Sequence, residues 1–318
     1  MARYALRRLG AVVVVLAIMS ALVFLATHAL PSNTAQLILG QYSTPETQAA
    51  LEHKLGLDLP LWQQYWRWAS GVLRGDLGQS LVMERPVAPI LWGALARSAP
   101  LAVLAMTVVT LLGPALGVLA AVTNGRWPDH AATIFTYVGI SVPEFYWGLV
   151  LILIFGSTLH ILPTSGAADL AEGIGPFLAH LVLPVITLTL TLLAHVSRLT
   201  RSSMLEALDS TYVKVARSRG LPERVVILRH ALRNALLPTI TVLAQDFGFL
   251  IGGIVAVEAI FAYPGLGRLL IHSLERQDLP LMQSSILVLT AIYCLANLAA
   301  DLLYGVANPR IRYGGSVG

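Results

Sequence analysis

Long apolar runs alternate with short polar stretches along this chain. The runs cover residues 9–30, 100–122, 131–157, 178–196, 239–261 and 284–306. Each is close to or longer than the ~20 residues a helix needs to cross about 30 Å of hydrocarbon at 1.5 Å per residue. A membrane β-strand would instead alternate over roughly 10 residues. The pattern therefore predicts an all-α integral membrane protein with six transmembrane helices. The third run carries Pro143 and Glu144 near its middle, where a proline removes one backbone hydrogen bond.

The intervening segments divide the chain into residues 1–30 (N-terminus and first span), 31–97 (a mixed segment too polar to cross), 98–306 (a five-helix core containing a polar loop, 197–237) and 307–318 (a tail). Within the mixed segment, the stretch LWQQYWRWASGVL places Trp62, Tyr65, Trp66 and Trp68 in one short helix of the kind that settles at a membrane interface.

The most organised polar stretch is residues 204–238, which reads as two short helices. Asp209 or Ser210 suits the cap of the first, and Tyr212, Val215 and Ala216 share one of its faces. Gly220 supplies the left-handed residue that ends it. Pro222 suits the opening of the second helix, and Glu223 opposes the positive end of its dipole. That helix runs on through Pro238 into the fifth span.

Composition adds a class and an orientation. Of 318 residues, 56% are hydrophobic and only 12% charged, against about 25% charged in a soluble domain. The net charge of +4 gives no reason to expect nucleic acid, because the basic residues lie in short loops beside spans. Arg3, Arg7, Arg8, Arg126, Arg310 and Arg312 fall on one side. So do Arg198, Arg201, Lys214, Arg217, Arg219, Arg224, Arg229 and Arg233 of the central loop. The two short loops opposite hold only Arg268 and Arg276. The positive-inside rule then puts both termini and the central loop in the cytoplasm, in a multi-pass protein of the cell inner membrane. The single cysteine, Cys294, excludes an intrachain disulfide.

Enzymatic chemistry finds no footing. The two lysines, Lys54 and Lys214, belong to no phosphate-gripping Gly-x-x-x-x-Gly-Lys loop, and neither HExxH nor a paired Cys-x-x-Cys occurs. His160, His180 and His195 form no ligand cluster in sequence. A proton-coupled transporter would require an ionisable relay, and often two similar halves; neither is evident.

Several stretches together carry a family resemblance. They are Leu55-Gly-Leu-Asp58 with Gln63-Gln64-Tyr65, Gly75-Asp-Leu-Gly78, Thr200-Arg-Ser-Ser-Met-Leu-Glu206, Ala216-Arg-Ser-Arg-Gly220, His230-Ala-Leu-Arg-Asn-Ala-Leu-Leu-Pro238, Phe261-Ala-Tyr-Pro-Gly-Leu-Gly-Arg268, Asp301-Leu-Leu-Tyr304 and Pro309-Arg-Ile-Arg312. Over nearly the whole chain they resemble importer-type ABC permeases of the peptide/nickel family, and within it the B-type dipeptide subunit. Lys214-Val215 stands where the general importer loop has Glu-Ala, and Arg233 where it has proline; both are usual in this subfamily. Asn308 replaces a common aspartate.

The resemblance implies a division of labour. This chain and a homologous second permease, as a heterodimer, form the pore for dipeptides or oligopeptides, or alternatively for nickel or a metal chelate. Two cytoplasmic P-loop ATPases hold ATP and Mg and drive transport, so this chain itself needs no cofactor or metal. An extracytoplasmic binding protein delivers the substrate. The loop 197–237 would couple the ATPases to the membrane, with Tyr212, Val215, Ala216 and Leu221 docking, Arg217, Arg219 and Arg224 at the rim, and Gly220 at the turn. By pattern alone, a basic helix pair resting on anionic lipid fits equally well.

The binding protein would meet the segment 31–97 and the turn formed by Pro264, Gly265, Gly267 and Arg268. Glu144 and Asp246, ionisable at membrane depth, cost about 2.5–3.5 kcal/mol each if set against lipid. They therefore face either the pore, where they would attract a cationic ligand, or a polar group of the partner permease. Glu258, at the outer end of the fifth span, is expected to be structural or gate-lining.

Overall fold

The computed structural model describes residues 2–29, 44–55 and 58–307. The expected tail, 307–318, and most of the segment 31–57 lie outside the described residues or at their edge. Helices follow the apolar runs, as α1 (Ala2–His28), α2 (Pro45–Leu55), α3 (Leu61–Leu73), α4 (Val87–Val122), α5 (Trp127–Ser141), α6 (Glu144–Leu151), α7 (Ile174–Asp209) and α8 (Thr211–Ser218). Then come α9 (Glu223–Ile260), α10 (Leu266–Glu275) and α11 (Leu279–Ala307). Among the described residues the only β-pairing is an isolated bridge, Gln79 to Pro86.

Five helices are long and apolar enough to cross a membrane: Ala5–His28, Val87–Val122, Ile174–Asp209, Glu223–Ile260 and Leu279–Leu302. The third expected span is not one helix. Its run breaks between α5 and α6 with a bend of 105°. Val142 before the proline takes an extended backbone (φ −101°, ψ 125°), and Pro143 serves as the N-cap of α6. The proline ring excludes the helical conformation from the residue before it, so Pro143 stops one helix and starts another instead of kinking a continuous one. Beyond Leu151, the seven residues Ile152–Thr158 continue α6 as a wider π-helix.

Two units emerge from the packing. The first takes in residues 1–6, 99–263 and 295–318, the second 7–98 and 264–294.

In the first unit, Leu101, Val109, Leu188, Val196, Leu250 and Phe261 belong to the main apolar core. Glycines let the helices approach one another. A Cβ at Gly117 would lie 2.5 Å from the Ser197 carbonyl oxygen, so α4 and α7 meet almost backbone to backbone.

In the second unit, Val87, Leu91, Ala94, Leu266 and Leu281 form the core. This burial explains why α4 begins before the expected residue 100 and carries its helix through Pro100. Asp278, 1% exposed, accepts hydrogen bonds from the Ser80 hydroxyl and from the N–H groups of Leu81 and Val82, the latter two at 3.2 Å. It thereby pins the 78–86 loop. The aromatic helix α3 divides its rings. Tyr65 and Trp68 pack against Phe24, and the Tyr65 hydroxyl meets that of Ser20 at 2.9 Å, while Trp62 and Trp66 stay exposed.

Candidate functional site

The segment joining α7 to α9 forms the expected helix pair, set on an apolar base. Val213 and Ala216, three residues apart on α8, turn inward and pack with Met204, Ala207, Val226 and Ala231. The face expected to dock outward is therefore divided. Ala216 is buried within this chain, whereas Tyr212 and Val215 are 42% and 46% exposed. With residues 212, 213, 215 and 216 all apolar, periodicity alone admitted either face; the base beneath α8 selects Val213 and Ala216.

Ser210 is the N-cap residue of α8, but its hydroxyl donates backward to the Ala207 carbonyl and caps nothing. Asp209 ends α7 and reaches Lys214 at 2.8 Å. Gly220 has φ +76°, the left-handed value its role required, and a side chain there would meet open space.

Across the Gly220 turn, the Arg217 guanidinium donates to the Glu223 carboxylate through Nη2 at 2.6 Å and Nε at 3.2 Å. Arg217 is thus engaged within its own turn instead of standing free at the rim. Both partners are exposed, so water screens the pair and it adds little to stability. Arg219, Leu221 and Arg224 are exposed. The second helix opens at Glu223, widens to a π-helix over Val226–Ala231, and continues without a break into the fifth span.

A buried ion pair missing from the sequence reading braces this segment. Asp129, 2% exposed at the start of α5, accepts from Arg201 Nε at 2.5 Å and Nη2 at 2.8 Å, and its Oδ2 also accepts the Gly125 N–H at 3.0 Å. The 123–129 turn is thereby locked to α7 two turns before the helix pair. The pair joins positions 72 residues apart. The only signal for it in sequence was one acid and one base, each beside a span.

The membrane-depth acids occupy three different settings. Glu144 is the first residue of α6, where the helix dipole favours a carboxylate. Its oxygens lie over Gly253 of α9, where an added Cβ would sit 2.5 Å from Oε1. Asp246 is 1% exposed and meets His195 of this same chain at 3.0 Å. Glu258 is fully buried. Of the three, only Glu144 is partly open. At the 264–268 turn, Gly265 and Gly267 are buried, Pro264 is half-buried and Arg268 exposed. Pro264, Gly265 and Arg268 line a pocket of about 330 Å³ with Arg97 and His272. Among the described residues, no three His, Cys, Asp or Glu side chains gather as a metal site.

A family model described as binding-protein-dependent transport system inner membrane component matches residues 113–313, and its N-terminal counterpart matches residues 1–106. Over 313 residues, the chain is 39% identical to the glutathione transport system permease proteins of Escherichia coli (strain K12) and Salmonella paratyphi A (strain ATCC 9150 / SARB42). The match covers 98% of this chain and 100% of each relative. The crystal structure of an amino acid ABC transporter with histidines is similar in fold, with a TM-score of 0.51 and 19% identity, covering 70% of this chain and 94% of that one.

Proposed function

The chain belongs to the binding-protein-dependent transport system inner membrane component family, and on that premise we propose that it imports short peptides through a pore shared with a second, homologous permease. It is a multi-pass permease subunit of an ABC importer, whose ATPase activity resides in separate subunits and whose substrate is delivered by a binding protein. The peptide class is supported by the glutathione permeases, which are similar over their whole length. Both termini lie in the cytoplasm by the charge bias of the loops. ATP and Mg are held by the partner ATPases.

One observation carries the coupling role: α8 is fastened from behind by Val213 and Ala216 and presents Tyr212 and Val215 outward, while Leu221, past the Gly220 turn, and Arg219 and Arg224 are also exposed. An apolar centre with a basic rim suits a protein groove, the charges steering the encounter. Because the following helix continues into the membrane, motion of a docked ATPase passes to the fifth span as a rigid-body shift.

Site-directed crosslinking tests this. In a Cys294→Ser background, Tyr212→Cys and Val215→Cys are each expected to capture the ATPase subunit in the assembled complex, and Val213→Cys, which faces the base, is not. Capture of lipid-directed probes alone by the two outward positions would remove the docking role.

Gly220→Val provides a second check. A β-branched residue at φ +76° costs about 1–2 kcal/mol, without a clash to prevent assembly. Peptide uptake per ATP hydrolysed is expected to fall severalfold in proteoliposomes holding the intact complex; an unchanged ratio would show that the turn does not transmit.

A further inference from the structure

Within the first unit, a buried carboxylate and an imidazole meet on neighbouring helices. Asp246 Oδ1 of α9 accepts a hydrogen bond from His195 Nδ1 of α7 at 3.0 Å, and Asp246 Oδ2 has no hydrogen-bond partner among the described residues. A carboxylate accepts only, so the imidazole carries a proton on Nδ1. The His195 side chain is 50% exposed against 1% for Asp246, which leaves Nε2 to the open side. A buried carboxylate with an unsatisfied oxygen is costly on its own. The adjacent ring offsets that cost best when it carries a second proton, and Nε2–H is then a charged donor.

The open side is polar beyond this one ring. His195, Arg198 and Ser202 fall at i, i+3 and i+7 on α7 and are all exposed, as is Gln245 beside Asp246 on α9. Such a stripe is expensive against hydrocarbon and belongs on water or protein. Arg198 also lines a pocket of about 300 Å³ with Thr133, Tyr137 and Ser202.

We propose that His195, positioned by Asp246, recognises substrate carboxylates in the translocation path, and that with Arg198 it favours peptides bearing acidic side chains. The proposal rests on the peptide-permease reading and names the charge class within it. It also reverses the polarity of the pore-facing alternative, in which Asp246 would attract a cationic ligand. Asp246 stands behind a cationic ring of its own chain and offers no free negative charge to a peptide amino group.

The test uses the complete complex in proteoliposomes, with ATPases and binding protein, and compares maximal uptake of alanyl-glutamate and alanyl-glutamine at saturating binding protein. His195→Ala is expected to slow the glutamate peptide about tenfold more than the glutamine peptide. His195→Lys, which keeps a cation at that place, should restore the preference. Asp246→Asn retains the ring but removes its counter-charge, and is expected to shift the ratio about threefold. Equal slowing of both peptides by His195→Ala, as packing or pairing with the second permease would produce, overturns the inference. If the unaltered complex carries both peptides at a ratio that His195→Ala leaves unchanged, the inference alone falls. If the unaltered complex carries neither, the peptide reading falls and takes the inference with it.

Discussion

Gly117→Leu will leave almost no folded permease in the membrane. A Cβ at this position would stand 2.5 Å from the Ser197 carbonyl oxygen, 2.6 Å from Thr200 Cβ and 3.0 Å from the Arg201 nitrogen. Two of these three are backbone atoms of α7, which have no rotamer by which to retreat. Either α4 moves away from α7 along its length or the helices do not pack. Overpacking alone costs typically about 1–3 kcal/mol where side chains can give way. Here they cannot, and leucine adds three more carbon atoms beyond the Cβ, so the loss passes the ~4–5 kcal/mol that marks exceptional substitutions.

Gly117→Ala should lower the yield of monodisperse protein in mild detergent, Gly117→Leu should abolish it, and Gly93→Leu should change nothing, since a Cβ at Gly93 meets no atom within 4 Å. A normal size-exclusion profile for Gly117→Leu would mean that the close crossing of α4 and α7 is not required.

The second large effect belongs to Arg201→Ala. The substitution leaves Asp129, 2% exposed, holding a charge with only the Gly125 N–H to satisfy it. Removing one member of a buried pair costs about 3–5 kcal/mol, most of it the stranded charge. Arg201 is 30% exposed, so water partly enters the space it vacates, and the lower end of that range applies. The apparent thermal midpoint of the purified complex should fall by on the order of 5 °C or more.

Asp129→Asn combined with Arg201→Gln should lose less than the two single losses summed, because neither partner is then left charged and alone. Strict additivity, or a midpoint for Arg201→Ala equal to that of the unaltered chain, would show that the 123–129 turn is not held to α7 through this pair.

Several features were legible before any coordinates. The membrane class, the helical runs, the left-handed Gly220 and the continuity of the helix after Gly220 with the fifth span all follow from local rules. Hydrocarbon requires about 20 apolar residues per crossing, and a positive φ selects glycine. The break at Pro143 was only half legible, since proline ring sterics announce a disturbance but not its size; the bend of 105° depends on where α6 finds its packing against α7 and α9. The division of the α8 face was not legible at all. Four apolar residues in five positions serve two helical faces equally well, and only the base formed by Met204, Ala207, Val226 and Ala231 decides which is buried.

The acids show the same boundary most sharply. Chain chemistry by itself determined that Glu144, Asp246 and Glu258 are ionisable groups in costly places, each needing a partner or water, because desolvating a charge is unfavourable wherever the residue sits. Tertiary structure alone decided the solution adopted by two of them: a helix N-terminus above a glycine for Glu144, and an imidazole 51 residues earlier in the chain for Asp246. Desolvation cost is a property of one residue and can be read locally. Its compensation is a distance between two residues, and only the packing of helices remote in sequence sets that distance.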